Sequence, residues 1–249
     1  QENRALAEQI LPCLFRIEIP LPRSPIKSLN AYVLTGGERF LVVDTGWDQE
    51  ACLRGMLSGL EEIGVDLDRT DFFITHLHAD HMGLVGRLLR KSTRVYLGKA
   101  DVDTALSIRR GTEERIRLLV QRYLSNGYPE AELRKAVEGH PGFRFSSKVP
   151  FELVPLGEGD PVQTGEYSFR CIETPGHSPG HTCLYEPEKK ILICGDHILC
   201  DITPNITSWP EMEDSLGSYL ASLEKVHGLD VDLVLPCHRR VIRDHRGRI

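Results

Sequence analysis

The chain has 249 residues, a length that fits one large domain or two small ones. Its 41% hydrophobic and 27% charged residues are ordinary for a globular protein and exclude long disordered segments. The net charge of -6 argues against a protein that binds along a nucleic-acid backbone, because such proteins carry a basic surface.

Seven cysteines are scattered along the chain without a Cys-x-x-Cys pair. An odd and scattered set favours reduced thiols over a disulfide framework. No apolar run reaches the roughly 18 residues that a membrane span needs, and no secretory signal is visible at the N-terminus. We therefore expect a cytoplasmic protein without a membrane partner.

Short apolar runs rich in β-branched residues predict eight strands. In chain order they are Ala31–Leu34, Phe40–Val43, Phe72–Thr75, Arg94–Leu97, Ser168–Ile172, His181–Tyr185, Ile191–Cys194 and Leu233–Leu235. Helical patterns lie between them at Glu50–Leu60, with Asp48 as the N-cap, at Met82–Leu89 and at Asp214–Val226. This alternation predicts a mixed α/β layer structure and not a doubly wound parallel sheet.

Residues Ala100–Gly139 differ from the rest of the chain because they are highly charged and carry helical periodicity with one break at Asn126–Pro129. We predict an inserted helical pair at about residues 100–140, within a single domain spanning residues 1–249. The insertion could be a lid with Tyr123 and Tyr128 as substrate contacts, or a solvated pair or dimer surface. The oligomeric state stays open, with a homodimer as one option.

Three histidines and a carboxylate directly follow the third predicted strand. They are His76, His78, Asp80 and His81. Imidazole and carboxylate are the ligands that zinc and similar divalent metals prefer. In extended backbone His76 and His78 project to the same side, whereas Asp80 and His81 point elsewhere and could serve a second ion. The cluster therefore predicts metal binding.

Three later segments each place a further ligand after a strand-like run. His177 lies in a turn rich in glycine and proline, and Asp196 and His238 each follow a short apolar run. Each segment alone is a weak signal, because a histidine after a strand is commonly part of an ordinary turn. Four strand-end motifs in this order together predict one metal centre.

Together with Asp44 in the segment Val43–Gly46, these motifs resemble the five-motif pattern of the metallo-β-lactamase superfamily. The resemblance covers about residues 30–240, and Thr174–His181 resembles the glyoxalase II and related thioesterase-like members most closely. The resemblance implies an α/β fold, specifically a four-layer αβ/βα sandwich with the metals at one edge of the sheets.

The resemblance also implies two divalent metal ions, zinc first, although iron or manganese would suit the same ligand types. The residues that would hold the first ion are His76, His78 and His177. Those that would hold the second are Asp80, His81 and His238, with Asp196 bridging the two ions.

Other residues beside these motifs are candidates for roles around the metals. Asp44 would orient a metal ligand without itself contacting an ion, and His181 is expected either to support a ligand in the same way or to be structural. The substrate contacts are unknown. Candidates on the segment after the bridging carboxylate are His197, Asn205 and Trp209.

A divalent ion lowers the pKa of bound water to about 7, so a hydroxide held by two ions is the expected nucleophile. Asp80 is the residue expected to handle protons. We predict a metallo-hydrolase that acts on a small molecule, a thioester or a lactone, without a nucleic-acid partner. The alternatives are an iron-dependent redox enzyme of the same fold and a phosphodiesterase or nuclease.

Overall fold

The structure is a computed structural model that describes residues 7–249 except residues 111, 140 and 148. Its first sheet has seven strands in the order in which they occur along the chain. Strands β1 to β4 pair antiparallel, whereas β4 to β7 pair parallel. The strands are β1 (Ala7–Leu11), β2 (Leu14–Pro20), β3 (Ser28–Leu34), β4 (Phe40–Val43), β5 (Thr70–Ile74), β6 (Val95–Gly98) and β7 (Val154–Leu156).

The second sheet has five strands in the spatial order β12-β11-β10-β9-β8. Its pairings are antiparallel except between β11 and β12, which run parallel. The strands are β8 (Pro161–Thr164), β9 (Tyr167–Glu173), β10 (Thr182–Glu186), β11 (Ile191–Gly195) and β12 (Leu233–Pro236).

Helices connect and flank the two sheets. They are α1 (Glu50–Ile63), α2 (Ala79–Met82), α3 (Val85–Leu88), α4 (Lys99–Arg110), α5 (Thr112–Ser125), α6 (Glu130–Gly139), α7 (Pro141–Arg144), α8 (Ser215–His227) and α9 (His245–Arg248), with a short 3-10 helix at Leu67–Arg69. None of those formed by the described residues has the length and apolar character that crossing a bilayer requires.

The core lies between the two sheets because successive side chains of a strand point to opposite faces. Ile193 of β11 packs in the large cluster that also contains Phe72 of the first sheet. Its neighbour Leu192 belongs to a second cluster that contains Val226 of α8. The helix α1 packs against β2 so closely that a Cβ atom added at Gly59 would lie 2.6 Å from Ile17 Cγ2. The predicted αβ/βα sandwich is confirmed.

All eight predicted strands are present, and four further strands were not predicted. The strands β7 and β8 are short and contain proline, and β1 and β2 mix polar with apolar residues, so none of them stands out as an apolar run. The predicted helix at Met82–Leu89 is two short helices, α2 and α3. The residue at the N-cap of α1 is Gln49 and not Asp48. Where the sequence predicts a helical pair, the structure has four helices, α4 to α7.

A buried carboxylate near the start of β5 joins two arginine residues. Asp71 is 4% exposed, and Arg39 donates to it from Nε at 2.9 Å and from Nη2 at 2.8 Å. Arg94 donates from Nε at 3.1 Å and from Nη2 at 2.6 Å. Burial alone would raise the pKa of Asp71, but the two guanidinium groups hold it below its usual range.

We expect Asp71→Asn to lower the free energy of unfolding by roughly 2 kcal/mol, because two guanidinium groups lose their counter-charge. The loss stays below that of a fully buried pair because the Arg94 side chain is 55% exposed. Since the folded-state pKa of Asp71 is lowered, its stabilisation is present above about pH 4 and is lost as the pH falls through the folded-state pKa. Urea unfolding at several pH values measures both effects.

The matched control is Glu50→Gln, which removes a carboxylate whose side chain is 60% exposed. We expect it to change the free energy of unfolding by less than about 0.5 kcal/mol. A loss in Asp71→Asn no larger than that of this control would contradict the stabilising role of Asp71.

Candidate metal centre

The seven predicted ligands lie together at the sandwich edge where β5, β9, β11 and β12 end. The loop after β5 and the first turn of α2 carry four of them, and the other three strands contribute one each. They are His76, His78, Asp80, His81, His177, Asp196 and His238. Strands that run in the same direction end at the same edge, so the topology of the two sheets alone brings these loops into contact.

The first cluster consists of three imidazole groups. Nε2 of His76 lies 2.9 Å from Nδ1 of His78 and 3.1 Å from Nε2 of His177. The turn before His177 needs glycine at Gly176, where φ is 139° and an added Cβ would lie 2.4 Å from Tyr219 Cβ. Three ring nitrogen atoms therefore face one common point.

The second cluster consists of a carboxylate and two imidazole groups. Oδ2 of Asp80 lies 3.7 Å from Nε2 of His81 and 3.4 Å from Nε2 of His238. Both histidines are fully buried, whereas the Asp80 side chain is 19% exposed. The carboxylate thus forms the solvent-facing part of this cluster.

Asp196 lies between the two clusters and faces both of them. Its Oδ2 is 3.5 Å from Nε2 of His177 in the first cluster. Its Oδ1 is 3.6 Å from Nε2 of His81 and 3.5 Å from Nε2 of His238 in the second. A carboxylate with one oxygen toward each cluster is placed as a bridging ligand would be.

The donor atoms of this centre fit metal ions. Within the described part of the chain, Nε2 of His81, Nε2 of His238 and Oδ1 of Asp196 are buried without a hydrogen-bond partner. Native structures rarely leave such atoms unsatisfied, so each one calls for an explanation. Their lone pairs converge with those of the neighbouring ligands, and a bound cation would satisfy them together.

The protonation states of the first cluster suit metal binding. Burial, together with the neighbouring His177, lowers the pKa of His78 to about 3, and burial likewise lowers the pKa of His76 well below its usual value. Both rings are then neutral, which is the form that binds metals. Burial alone would raise the pKa of Asp80 and Asp196, but nearby histidines lower it, so both carboxylates are ionised. In the second cluster burial alone would lower the pKa of both histidines, but the neighbouring carboxylates raise it, so a metal ion there would displace protons.

Hydrogen bonds fix the orientation of three imidazole rings. Nδ1 of His81 lies 2.8 Å from Oδ2 of Asp44, and Nδ1 of His177 lies 2.7 Å from the carbonyl oxygen of Asn205. Nδ1 of His238 lies 2.8 Å from the carbonyl oxygen of Ser28. An Nδ1–H that donates to each of these oxygens leaves Nε2 free to face the centre.

Asp44, directly after β4, joins two of the ligand-bearing loops, the one after β5 and the one after β12. Its Oδ1 accepts a hydrogen bond from the backbone N–H of Thr75, and its Oδ2 accepts from the Thr75 hydroxyl, each at 2.8 Å. The same Oδ2 accepts from the Cys237 thiol at 2.8 Å, and burial raises the pKa of this thiol well above its usual value. Asp44 therefore orients His81 and holds the neighbouring segments together.

His181 and His197 both lie next to Asp196. Nε2 of His181 accepts a hydrogen bond from the backbone N–H of Asp196 at 3.2 Å, and its Nδ1 lies 2.7 Å from the Thr174 hydroxyl. His197 is fully buried, and its ring packs 5.5 Å from that of Tyr219 on α8. A substrate contact at His197 stays a prediction.

Asn205 and Trp209 lie against the first cluster. Besides the carbonyl contact of Asn205, the indole N–H of Trp209 donates to the carbonyl oxygen of His177 at 2.9 Å. The Trp209 ring stacks on His78 with 5.8 Å between centroids and 26° between planes. Both residues support metal ligands, and their predicted contact with substrate stays a prediction.

The helical insertion reaches the segment that carries these two residues. Arg122 of α5 donates a hydrogen bond to the Ser208 hydroxyl. The rings of Tyr123 and Tyr128 contact each other at 5.8 Å and are 42% and 38% exposed. The insertion therefore contacts the residue next to Trp209, and its role as a lid stays a prediction.

Two contributors to this centre were not found from the sequence. Ser28 acts through its backbone carbonyl, which no residue type reveals. Asp101 accepts hydrogen bonds from two ligand-bearing loops. It lies three residues after β6, so the strand-end reasoning that found the ligands could also have found it.

Comparison with known proteins decides the family. The family model described as the metallo-beta-lactamase superfamily matches residues 27–238. The chain belongs to this superfamily. Its members are generally hydrolytic enzymes, and proteins of this fold bind divalent metals.

Among solved structures, a metallo-beta-lactamase family protein from Thermus thermophilus matches with a TM-score of 0.86 and 28% identity, covering 96% of this chain and 78% of that one. The acyl-coenzyme A thioesterase MBLAC2 of Bos taurus is 26% identical over 84% of this chain and 72% of its own length.

The atrochrysone carboxyl ACP thioesterase nsrC of Aspergillus novofumigatus is 23% identical over 97% of this chain and 59% of its own length. The other fungal relatives are similarly longer, and the chain spans between 53% and 60% of their lengths. These matches show similarity over almost the whole of this chain.

We expect two metal ions per chain after zinc loading and removal of excess metal, because the seven ligands form two clusters joined by Asp196. Elemental analysis measures the ratio. His238→Ala should reduce it to one, whereas His227→Ala, at an exposed histidine on α8, should leave it at two. One ion per chain in the unmodified protein at saturation would contradict the two-cluster assignment.

Proposed function

We propose that this protein is a two-metal hydrolase that cleaves a small acyl compound, a thioester in preference to a lactone. The observation that carries the proposal is the position of Asp196, with one oxygen toward each histidine cluster. When bound, the two ions would supply a water of lowered pKa and a Lewis acid for the acyl carbonyl. Zinc is the metal proposed first, because it favours imidazole and carboxylate ligands.

Solvent reaches the centre on one side. His78 and Asp80 are half-buried, whereas the other five ligands are buried. A substrate carbonyl must therefore approach past His78 and Asp80, beside the Trp209 ring that stacks on His78. The five buried ligands lie away from this solvent-exposed side. Their electrostatic interactions are stronger there because little water is present to weaken them.

Asp80 is proposed to handle the proton of the nucleophile. Its carboxylate is ionised and partly exposed, so it can accept a hydrogen bond from a water molecule and orient it toward the acyl carbon. The water oxygen forms a bond to that carbon, and the bond from carbon to sulfur breaks. The proton released by the water ends on the thiolate, either directly or through Asp80.

The low pKa of Asp80 keeps it ionised at neutral pH, so it has no proton to donate to the leaving group until it has taken one from the water. A thiolate needs less help from an acid than an alkoxide, since thiols have a pKa near 8.5. This chemistry favours a thioester over an ordinary ester. Relatives described as thioesterases support the same substrate class. We therefore propose that the protein acts like the glyoxalase II and thioesterase-like members.

The segment after Asp196 supports a small acyl substrate. Residues Ile202–Pro210 supply isoleucine, proline and tryptophan side chains with one amide, Asn205. Such a composition suits a mostly apolar pocket with few polar contacts. The net charge of -6 gives no general attraction for a polyanionic phosphodiester, so we propose neither a nucleic-acid nor a membrane partner.

We expect Asp80→Asn to lower kcat by about 10²- to 10⁴-fold at saturating zinc, because the variant can no longer take up the proton of the nucleophile. Thermal unfolding should remain close to that of the unmodified protein. The matched control is Asp103→Asn, at an exposed residue of α4, which should keep full turnover. Near-normal kcat in Asp80→Asn would exclude the proton-handling role.

We expect the zinc-loaded protein to hydrolyse acyl thioesters with a higher kcat/KM than lactones, and both with a higher kcat/KM than phosphodiesters. The measurement is a panel of these three classes at matched concentrations, each repeated with His177→Ala to subtract hydrolysis that does not depend on the centre. The acyl assignment fails if a phosphodiester is turned over as efficiently as every thioester and lactone in the panel.

A further inference from the structure

A buried carboxylate outside all the ligand motifs lies beside the first cluster. Asp101 belongs to the first turn of α4, the helix that opens the insertion, and it is fully buried. Ligand binding does not explain its burial, because it belongs to none of the groups of ligand atoms found among the described residues. A buried carboxylate is costly unless it is hydrogen-bonded.

The carboxylate of Asp101 accepts three hydrogen bonds from two different loops. Its Oδ2 accepts from the backbone N–H of Leu77 at 2.8 Å and from the Ser178 hydroxyl at 2.7 Å. Its Oδ1 accepts from the backbone N–H of Gly180 at 2.6 Å. Leu77 lies between His76 and His78, and Ser178 directly follows the third histidine of the first cluster.

The two loops have little regular structure of their own at these positions. The loop of His177 meets α4 at backbone distance, because a Cβ atom added at Gly180 would lie 2.2 Å from the backbone nitrogen of Asp101. The second cluster is held differently, since the carboxylate of Asp44 and the carbonyl of Ser28 orient its two histidines. Asp101 therefore contacts the loop of His177 and, on the loop after β5, the residue between His76 and His78.

We infer that Asp101 is a positioning residue for the first metal site, where its carboxylate holds the loops of His76, His78 and His177 at the separation that one metal ion requires. The inference rests on the metal-site assignment of the proposed function and adds a residue that belongs to none of the ligand motifs. It also ties the first helix of the insertion to the geometry of that site.

The contacts require a carboxylate and not only a side chain of that shape. An asparagine amide has one acceptor oxygen and one NH₂ group, which is a donor. Placed at Oδ1, the NH₂ would face the N–H of Gly180, and placed at Oδ2 it would face the N–H of Leu77. Asp101→Asn therefore leaves a buried backbone donor without a partner in either orientation.

The test measures zinc affinity at each site separately in the full chain. The background His238→Ala retains the ligands of the first site, and the background His177→Ala retains those of the second. Each background is titrated with Zn²⁺ against a chromophoric chelator, with and without Asp101→Asn. Asp103→Asn is the matched control, because it makes the same substitution at an exposed position two residues along the same helix.

We expect Asp101→Asn to weaken zinc binding about tenfold in the His238→Ala background, as loss of an outer-shell partner typically does, and less than about twofold in the His177→Ala background. Asp103→Asn should change neither. Unchanged affinity in the His238→Ala background would overturn the inference, as would equal weakening in both backgrounds, which would indicate a general loss of stability.

A second variant covers the case in which Asp101→Asn does not fold. Ser178→Ala removes one of the three hydrogen bonds and should weaken the first site roughly threefold, in line with the loss of a single hydrogen bond. Wild-type affinity in this variant would then overturn the inference. If the His238→Ala background itself binds no zinc, the metal-site assignment of the proposed function fails. If it binds zinc and Asp101→Asn or Ser178→Ala leaves the affinity unchanged, only the inference about Asp101 fails.

Discussion

The carboxylate of Asp196 connects the two halves of the centre. Its two oxygens face different histidine clusters, so the position of one side chain at the end of β11 sets the separation of both clusters. The glycine before it, Gly195, has a φ of 52°. His181 accepts a hydrogen bond from the backbone N–H of Asp196. A displaced Asp196 would remove one shared carboxylate from both clusters at once, which makes this residue the constraint on which the site depends.

The two clusters are supported in different ways, and this difference has a functional meaning. The second cluster is fixed by Asp44 and by the backbone carbonyl of Ser28 on β3, both of which belong to the sheet framework. The first cluster is supported by loops, by Trp209 and by the first turn of the insertion. Loops carry specificity while a rigid scaffold carries geometry. The first cluster is therefore the half of the centre through which the insertion can affect the chemistry.

Much of the fold could be read from the sequence, and the misses have physical reasons. Strands such as β4 and β11 are continuous apolar runs because both of their faces are buried, and they were predicted with six further strands. Strands such as β7, with three residues and a proline, depend on pairing with a neighbour and leave no apolar run. The helix predicted at Met82–Leu89 is divided where the backbone N–H of Leu84 donates at 2.9 Å to the carbonyl oxygen of Gly46 and not to a carbonyl of its own helix, a contact that the local pattern does not reveal.

The sequence by itself determined the residue types of the centre, because histidine and aspartate after a strand can be recognised one motif at a time. Only the tertiary structure decided how those side chains are held. Ser28 and Asn205 act through backbone carbonyls that any residue would supply, and Asp101 matters because folding places it beside Leu77 and Gly180. Ligand identity is a property of single residues, whereas orientation depends on atoms brought together from distant parts of the chain.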